Sequence, residues 1–139
     1  MQGNNGWIEL TGLNSYRVEA YAACCLFPRN VQALREALRP QPGQAVHLLG
    51  HGCNVILARK FYDASHRFVC TRQLETGIAV AGNAVRAGAG ARLRDLCRVA
   101  ARAGLSGLER LWDIPGSIGG AAYRSEEHTS ELQSRSDLV

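Results

Sequence analysis

Apolar and polar positions along this chain change period several times, and each change marks an element. Val18 to Phe27 is rich in apolar residues and reads as a strand. Asn30 can then cap a helix in which Val31, Leu34 and Leu38 share one face, and Pro40 and Pro42 end it. Ala45–Leu49 and Val55–Leu57 are short apolar runs that predict strands on either side of a Gly50–Asn54 turn. Further strands are predicted over Arg67–Thr71, Ile78–Ala81 and Ala84–Ala87, with Gly82-Asn83 as a hairpin turn. A second helix is predicted from about Ala91 to Ala103. Its Leu93, Leu96, Cys97 and Ala100 form an apolar stripe, and Gly104 supplies a C-terminal stop. The pattern is α+β, with mixed sheets and flanking helices. Both helical stripes are read as core.

Composition narrows the class. The chain has 139 residues, 46% of them hydrophobic, which fits one globular domain at most. A chain of this size buries roughly two thirds of its unfolded surface, enough for a real core. The formal net charge is +4. Lys60 is the only lysine, and the arginines (Arg17, Arg29, Arg35, Arg59, Arg72, Arg86, Arg92, Arg98 and others) are scattered. With no dense basic block and no aromatic interleaving, nucleic acid is not an expected partner. A diffuse positive field still favours anionic cofactors and substrates. Cys24, Cys25, Cys53, Cys70 and Cys97 show no Cys-x-x-Cys spacing. They read as small buried hydrophobes of a reducing compartment, with no metal site. The start, Met1 to Trp7, does not look like a signal peptide, and no segment approaches membrane-spanning length. The expectation is a cytoplasmic protein with no membrane partner. His47, His66, Trp7 and Trp112 are read as packing or surface residues.

Three glycine-rich turns carry the candidate chemistry. They are Gly50-His51-Gly52-Cys53-Asn54, Ala87-Gly88-Ala89-Gly90 and Ile114-Pro115-Gly116-Ser117-Ile118-Gly119-Gly120. Glycine lets the backbone take positive φ and approach a ligand closely. Pro115 fixes φ and removes one N–H. Such turns can aim several N–H donors at an anion. Gly88 and Gly90 are expected to enter a helix, whose N-terminal amides favour phosphate. Any one of these loops alone is most often just a turn. The Rossmann fingerprint lacks its third glycine, and no Gly-Lys-Ser or Gly-Lys-Thr exists for a P-loop.

Order and spacing make the pattern specific. Asn14-Ser15-Tyr16 is similar to an Asn-Thr-Phe element. Val31–Leu38, Leu49–Leu57, Val85–Gly90, Gly104-Leu105-Ser106-Gly107-Leu108-Glu109 and Ile114–Gly120 follow in turn. Over residues 10 to 123 this series resembles the N-terminal flavin-binding part of the UDP-N-acetylenolpyruvoylglucosamine reductase (MurB) family. The resemblance implies a PCMH-type FAD-binding domain over 1–123. It implies FAD held by Gly50, His51, Gly52, Cys53, Asn54, Gly88, Gly90, Ile114, Pro115, Gly116, Ser117, Gly119 and Gly120. It also implies NADPH as hydride donor and a UDP-sugar enolpyruvate substrate, in peptidoglycan synthesis.

The same resemblance places the catalytic groups elsewhere. The serine proton donor and the arginine and glutamate that polarise the substrate belong to a Gly-Tyr-Arg element, a Gly-Ser-Phe-Phe element and a C-terminal glutamate. None of these occurs here. No catalytic residue is therefore assigned, and the chain alone is expected to bind FAD weakly or not at all, without reductase activity. From Arg124 the character changes. Residues before it carry +6 (14 basic, 8 acidic), and Arg124–Val139 carry −2 (2 basic, 4 acidic). Arg124 to Ser134 looks like one reading frame of a sequencing-library adapter, so 124–139 is read as an artefact tail outside the fold. Two alternatives stay open. One is another PCMH-fold oxidoreductase acting on alcohols or sugars, with flavin attached through His51 or Cys53. The other is a non-enzymatic basic binding domain.

Overall fold

The computed structural model describes residues 6–123. The 124–139 tail expected to be foreign lies outside the described residues. The chain divides into two compact units, one running to Thr76 and one from Gly77.

In the first unit two small sheets share one stretch of chain. β1 (Ile8–Glu9) pairs antiparallel with β2 (Tyr21–Ala22), in the register Ile8 to Ala22. β2 pairs parallel with β5 (Phe61–Tyr62). The second sheet is all parallel. β6 (His66–Cys70) lies between β3 (Cys25–Leu26) and β4 (Ala45–Leu49), so Cys25, Phe68 and His47 stand in register. Parallel neighbours need a crossover, and α1 (Val31–Ala37) lies on the route from β3 to β4. The Asn30 Oδ1 accepts from the Ala33 amide at 2.8 Å, the cap predicted for that residue.

Three sequence expectations are corrected in this unit. The single strand over Val18–Phe27 is two strands in different sheets. The Tyr21 and Ala23 amides donate to Lys60 and Tyr62, whereas the Cys24 carbonyl accepts from Phe68. The chain changes partner at Ala23-Cys24 because both sheets are completed by the same apolar stretch. Val55–Leu57 is not a strand. Leu57 is buried in the core, but the segment joins no ladder. Helix α1 buries Ala37, while Val31 is exposed and Leu34 and Leu38 are half-buried. β1 and β5, two residues each, are too short to show a period and were not expected.

Leu10, Ala20, Ala22, Cys25, Leu49, Leu57, Tyr62, Phe68 and Cys70 form the core of this unit. Burial pushes the Cys25 thiol up to about 12, so it packs as a neutral hydrophobe. Cys70 and Cys97 are also buried, whereas Cys24 and Cys53 are half-buried, and all five cysteines are free. Arg67 is buried as well. Its Nη1 donates to the carbonyls of Ala37 and Arg39, both at 3.2 Å, placing a cation at the C-terminal end of α1.

At one edge of the core, His47 Nε2 lies 2.9 Å from His66 Nδ1, and Arg59 Nη1 lies 3.3 Å from His66 Nε2. Arginine only donates, so His66 Nε2 accepts and its Nδ1 carries the hydrogen that His47 Nε2 receives. Burial and the neighbouring His66 hold His47 below its ordinary value of 6.5. A depressed histidine adds stability above the unfolded value, and that stability is lost as pH falls through the folded value. We expect the melting temperature to fall as pH drops below about 6.5. A His47→Gln variant should fall less steeply over the same range, and equal slopes would refute the assignment.

The second unit begins with the hairpin β7 (Ile78–Ala81) and β8 (Ala84–Ala87), closed by Gly82-Asn83 with Gly82 at φ +60. Glycine at the first central position suits a two-residue turn that follows strand twist. α2 (Leu93–Arg102) buries Leu93, Cys97 and Ala100. It ends as its sequence predicts. Gly104 takes φ +71, its amide donates to Ala101, and the Leu105 amide reaches back to Ala100. This is the paired closure that only a left-handed residue allows without strain. Residues 118–123 are helical.

Candidate functional site

The glycine loops are distributed over the two units. Gly50–Asn54 belongs to the first, and Gly88–Gly90 and Ile114–Gly120 belong to the second.

The first loop follows β4 and is pinned through its carbonyl oxygens. Arg72 Nη2 donates to the His51 carbonyl at 2.7 Å. The Ser15 amide donates to the Gly52 carbonyl at 3.0 Å, and Ser15 Oγ donates to the Cys53 carbonyl at 3.2 Å. Thr71 Oγ1 holds the Leu49 carbonyl just before the loop. In a trans peptide the N–H points opposite to the C=O of the preceding residue, and no cis bond occurs here. The N–H that follows each held carbonyl points away from the group holding it, so the Gly52, Cys53 and Asn54 amides face away from Arg72 or Ser15. A run of backbone donors of this kind can hold an anion.

Gly52 makes this geometry possible. It is buried at φ +67, and a Cβ built on it would overlap the Leu13 carbonyl oxygen and lie 3.0 Å from the Asn14 Cα. The Leu13-Asn14 backbone is in turn set by the Asn14 side chain, which is 2% exposed. Its Nδ2 hydrogens are shared among the carbonyls of Leu10, Thr11 and Val18, and its Oδ1 accepts from the Val18 amide at 2.9 Å. The Asn14–Arg17 turn places Arg17 at φ +55, the one non-glycine residue with positive φ among those described.

In the second unit the loops grip each other. The Ile118 amide donates to the Ala91 carbonyl, the Gly119 amide to Ala89, and the Leu93 amide to Gly116. Ser117, 3% exposed, caps the helical segment that follows, its Oγ accepting from the Gly120 amide at 3.2 Å. A Cβ on Gly119 would sit 3.1 Å from both the Ala89 Cβ and its carbonyl oxygen, so glycine here serves close approach of backbone to backbone.

This corrects how these residues act. The amides of Gly119 and Gly120 are already used inside the unit, as is that of Ile114, which donates to Leu111. The Gly116 carbonyl is held by Leu93, so the Ser117 amide points away from Leu93 and is a donor this loop offers. Gly88 and Gly90 do not open α2. The helix starts at Leu93, the Gly88 amide donates to Gly77, and the first helical amide is covered by Gly116. The leading Leu93 amide of that helix is therefore not vacant for a phosphate.

Sequence reasoning missed two contributors. Arg72 looks like any other surface arginine in sequence, and only the fold brings it under His51. Ser15 was seen in its motif, but its hydrogen bonds to residues 52 and 53 are tertiary.

Comparison with known proteins places this arrangement. A family model described as an FAD binding domain matches residues 22–132. The chain belongs to this FAD-binding family. Its curated relatives include the UDP-N-acetylenolpyruvoylglucosamine reductase of Xanthomonas axonopodis pv. citri, 41% identical over 115 residues, 79% of this chain and 32% of that protein. The reductase of Francisella tularensis subsp. tularensis is 32% identical over 129 residues, 88% of this chain and 45% of that protein. Among solved structures, the UDP-N-acetylenolpyruvylglucosamine reductase (MurB) of Thermus caldophilus matches with a TM-score of 0.59 and 28% identity, covering 83% of this chain and 40% of the other. The chain thus spans less than half the length of these relatives, and its α+β fold with mixed sheets is similar to that of the Thermus caldophilus structure. Among the described residues no helix is long and apolar enough to cross a membrane.

Proposed function

We propose that this chain holds FAD as the cofactor-binding part of an NADPH-dependent reductase. The substrate class is a nucleotide-sugar enolpyruvyl ether, reduced in the building of peptidoglycan in the cytoplasm. The observation that carries the cofactor reading is the turn of three amides at Gly52, Cys53 and Asn54. Its donors match the pyrophosphate of a flavin dinucleotide, and a hydrogen bond to a charged group contributes about 1.5–3 kcal/mol. Asn54, exposed next to them, offers a side-chain amide, and Gly50 and His51 complete the turn.

In the second unit, the Ser117 amide is a donor that the Ile114–Gly120 loop offers. Ile114 and Pro115 lie exposed ahead of it, where an apolar ring edge could pack. Gly116, Gly119, Gly120, Gly88 and Gly90 act at one remove, by fixing the path of the backbone that presents Ser117. Bound FAD would supply hydride transfer, and this chain's residues would orient it and exclude water. The domain is proposed to occupy 1–123, with 124–139 outside it.

The similarity to reductases across most of this chain supports the substrate class. The sequence lacks the elements that the resemblance assigns to proton donation, so we assign no catalytic residue and no turnover to the chain alone. Titration of the purified chain with FAD, followed by flavin fluorescence, should show weak, saturable binding and no NADPH oxidation with the enolpyruvyl substrate. Absence of any binding would remove the cofactor reading. Turnover of the substrate would overturn the assignment of catalysis to absent elements.

A further inference from the structure

Arg72 stands in a 3-10 turn (Thr71–Gln73) directly after β6. Its guanidinium spans two loops that are far apart in sequence: Nη1 donates to the Gly12 carbonyl at 2.9 Å and Nη2 to the His51 carbonyl at 2.7 Å. Its Nε is buried without a partner, so the group's commitment is to these two carbonyls. Among the described residues the two ion pairs, Lys60–Glu19 and Arg98–Asp95, leave Arg72 out. A half-buried cation without a carboxylate, spent entirely on backbone oxygens, is a costly way to brace a loop unless its charge is used.

We propose that Arg72 is a positioning residue for the anion-holding turn, acting on a ligand phosphate through the His51–Gly52 peptide. Two effects follow from its geometry. The planar fork fixes the two loops at one separation, which no flexible ammonium does. A charged donor on the His51 carbonyl also polarises that peptide, making the Gly52 N–H on its far side a stronger donor. Arg72 never touches the ligand in this arrangement. This inference rests on the FAD reading above for the identity of the anion.

The test compares the full chain with Arg72→Met and Arg72→Lys in two measurements. The first is FAD affinity by flavin fluorescence. The second is hydrogen exchange at the Gly52, Cys53 and Asn54 amides, read by nuclear magnetic resonance without ligand. Arg72→Met should weaken FAD by about tenfold or more, as the Gly52 N–H loses its fixed aim and polarisation, and should speed exchange at those amides. Arg72→Lys keeps the charge but not the fork, and should recover only a minor part of both losses. Wild-type affinity in either variant overturns the proposal and leaves the FAD reading intact. If the unchanged chain binds no FAD, the cofactor reading fails by itself. The exchange data then decide the positioning role: faster exchange in Arg72→Met supports it, and unaltered exchange overturns it. If Arg72→Met does not fold by circular dichroism, Arg72→Lys carries both measurements.

Discussion

Replacing Gly52 with alanine should unfold the first glycine loop and remove FAD binding together. The φ of +67 is unfavourable for alanine, and the added Cβ would meet the Leu13 carbonyl oxygen, a backbone atom that no rotamer change can move. Strain at such a position costs of order 1–3 kcal/mol. The displaced Leu13-Asn14 segment adds to it, because Ser15 carries two of the carbonyl contacts of the turn. We expect a loss of roughly 2–4 kcal/mol in urea unfolding, near the top of the range for single substitutions. FAD titration should show no saturation. Gly43 is the comparison: it has a similar φ of +71 but open space where its Cβ would be. Gly43→Ala should therefore cost only the backbone term, and equal losses at the two positions would show that the Leu13 overlap is unimportant.

Asn14→Ala is expected to come second. Four backbone groups depend on this side chain: three carbonyls, and the Val18 amide at 2.9 Å. The residue is buried, so water cannot replace the lost partner without the turn opening. Leaving a buried group unsatisfied costs about 1–3 kcal/mol, and we expect about 2–4 kcal/mol in total by chemical denaturation. Asn14→Asp separates the donor from the acceptor role. It keeps the oxygen facing Val18 but sets a carboxylate against three carbonyls. Its stability should fall below that of Asn14→Ala at neutral pH and improve on acidification, as the carboxyl protonates and regains one donor. A neutral-pH stability for Asn14→Asp close to that of the unchanged chain would mean that the Nδ2 bonds contribute nothing.

Asn30 and Asn14 are the same residue type before an apolar stretch. At Asn30 the side chain serves an amide three residues on, a local relation that a capping pattern reveals. At Asn14 it ties Leu10, Thr11 and Val18 into one knot, and no periodicity encodes that. The same division explains the strands. Ala45–Leu49 and the Gly82-Asn83 hairpin were legible because their signals are contiguous. The break at Ala23-Cys24 was not, since it depends on Lys60, Tyr62 and Phe68 supplying partners from later in the chain. Val55–Leu57 misled because an apolar run marks burial, and Leu57 is buried without being in a ladder.

For the candidate site, the glycines were visible and their separate duties were not. All of them read as loops that free amides for a ligand. Gly52 lets the turn lie against Leu13, an arrangement that we propose leaves its amides for a ligand. Gly119 instead lets one loop close on Ala89, which uses its amide. Sequence alone determined the local events: where α1 is capped, where α2 stops at Gly104, where the hairpin turns, and which segments can curl tightly enough to face an anion. Each depends on residues within a few positions, through φ preference or a short-range hydrogen bond. Tertiary structure decided which amides are left to donate and which side chains hold them, because a carbonyl's partner, such as Arg72 or Ser15, comes from wherever the fold brings a donor within about 3 Å.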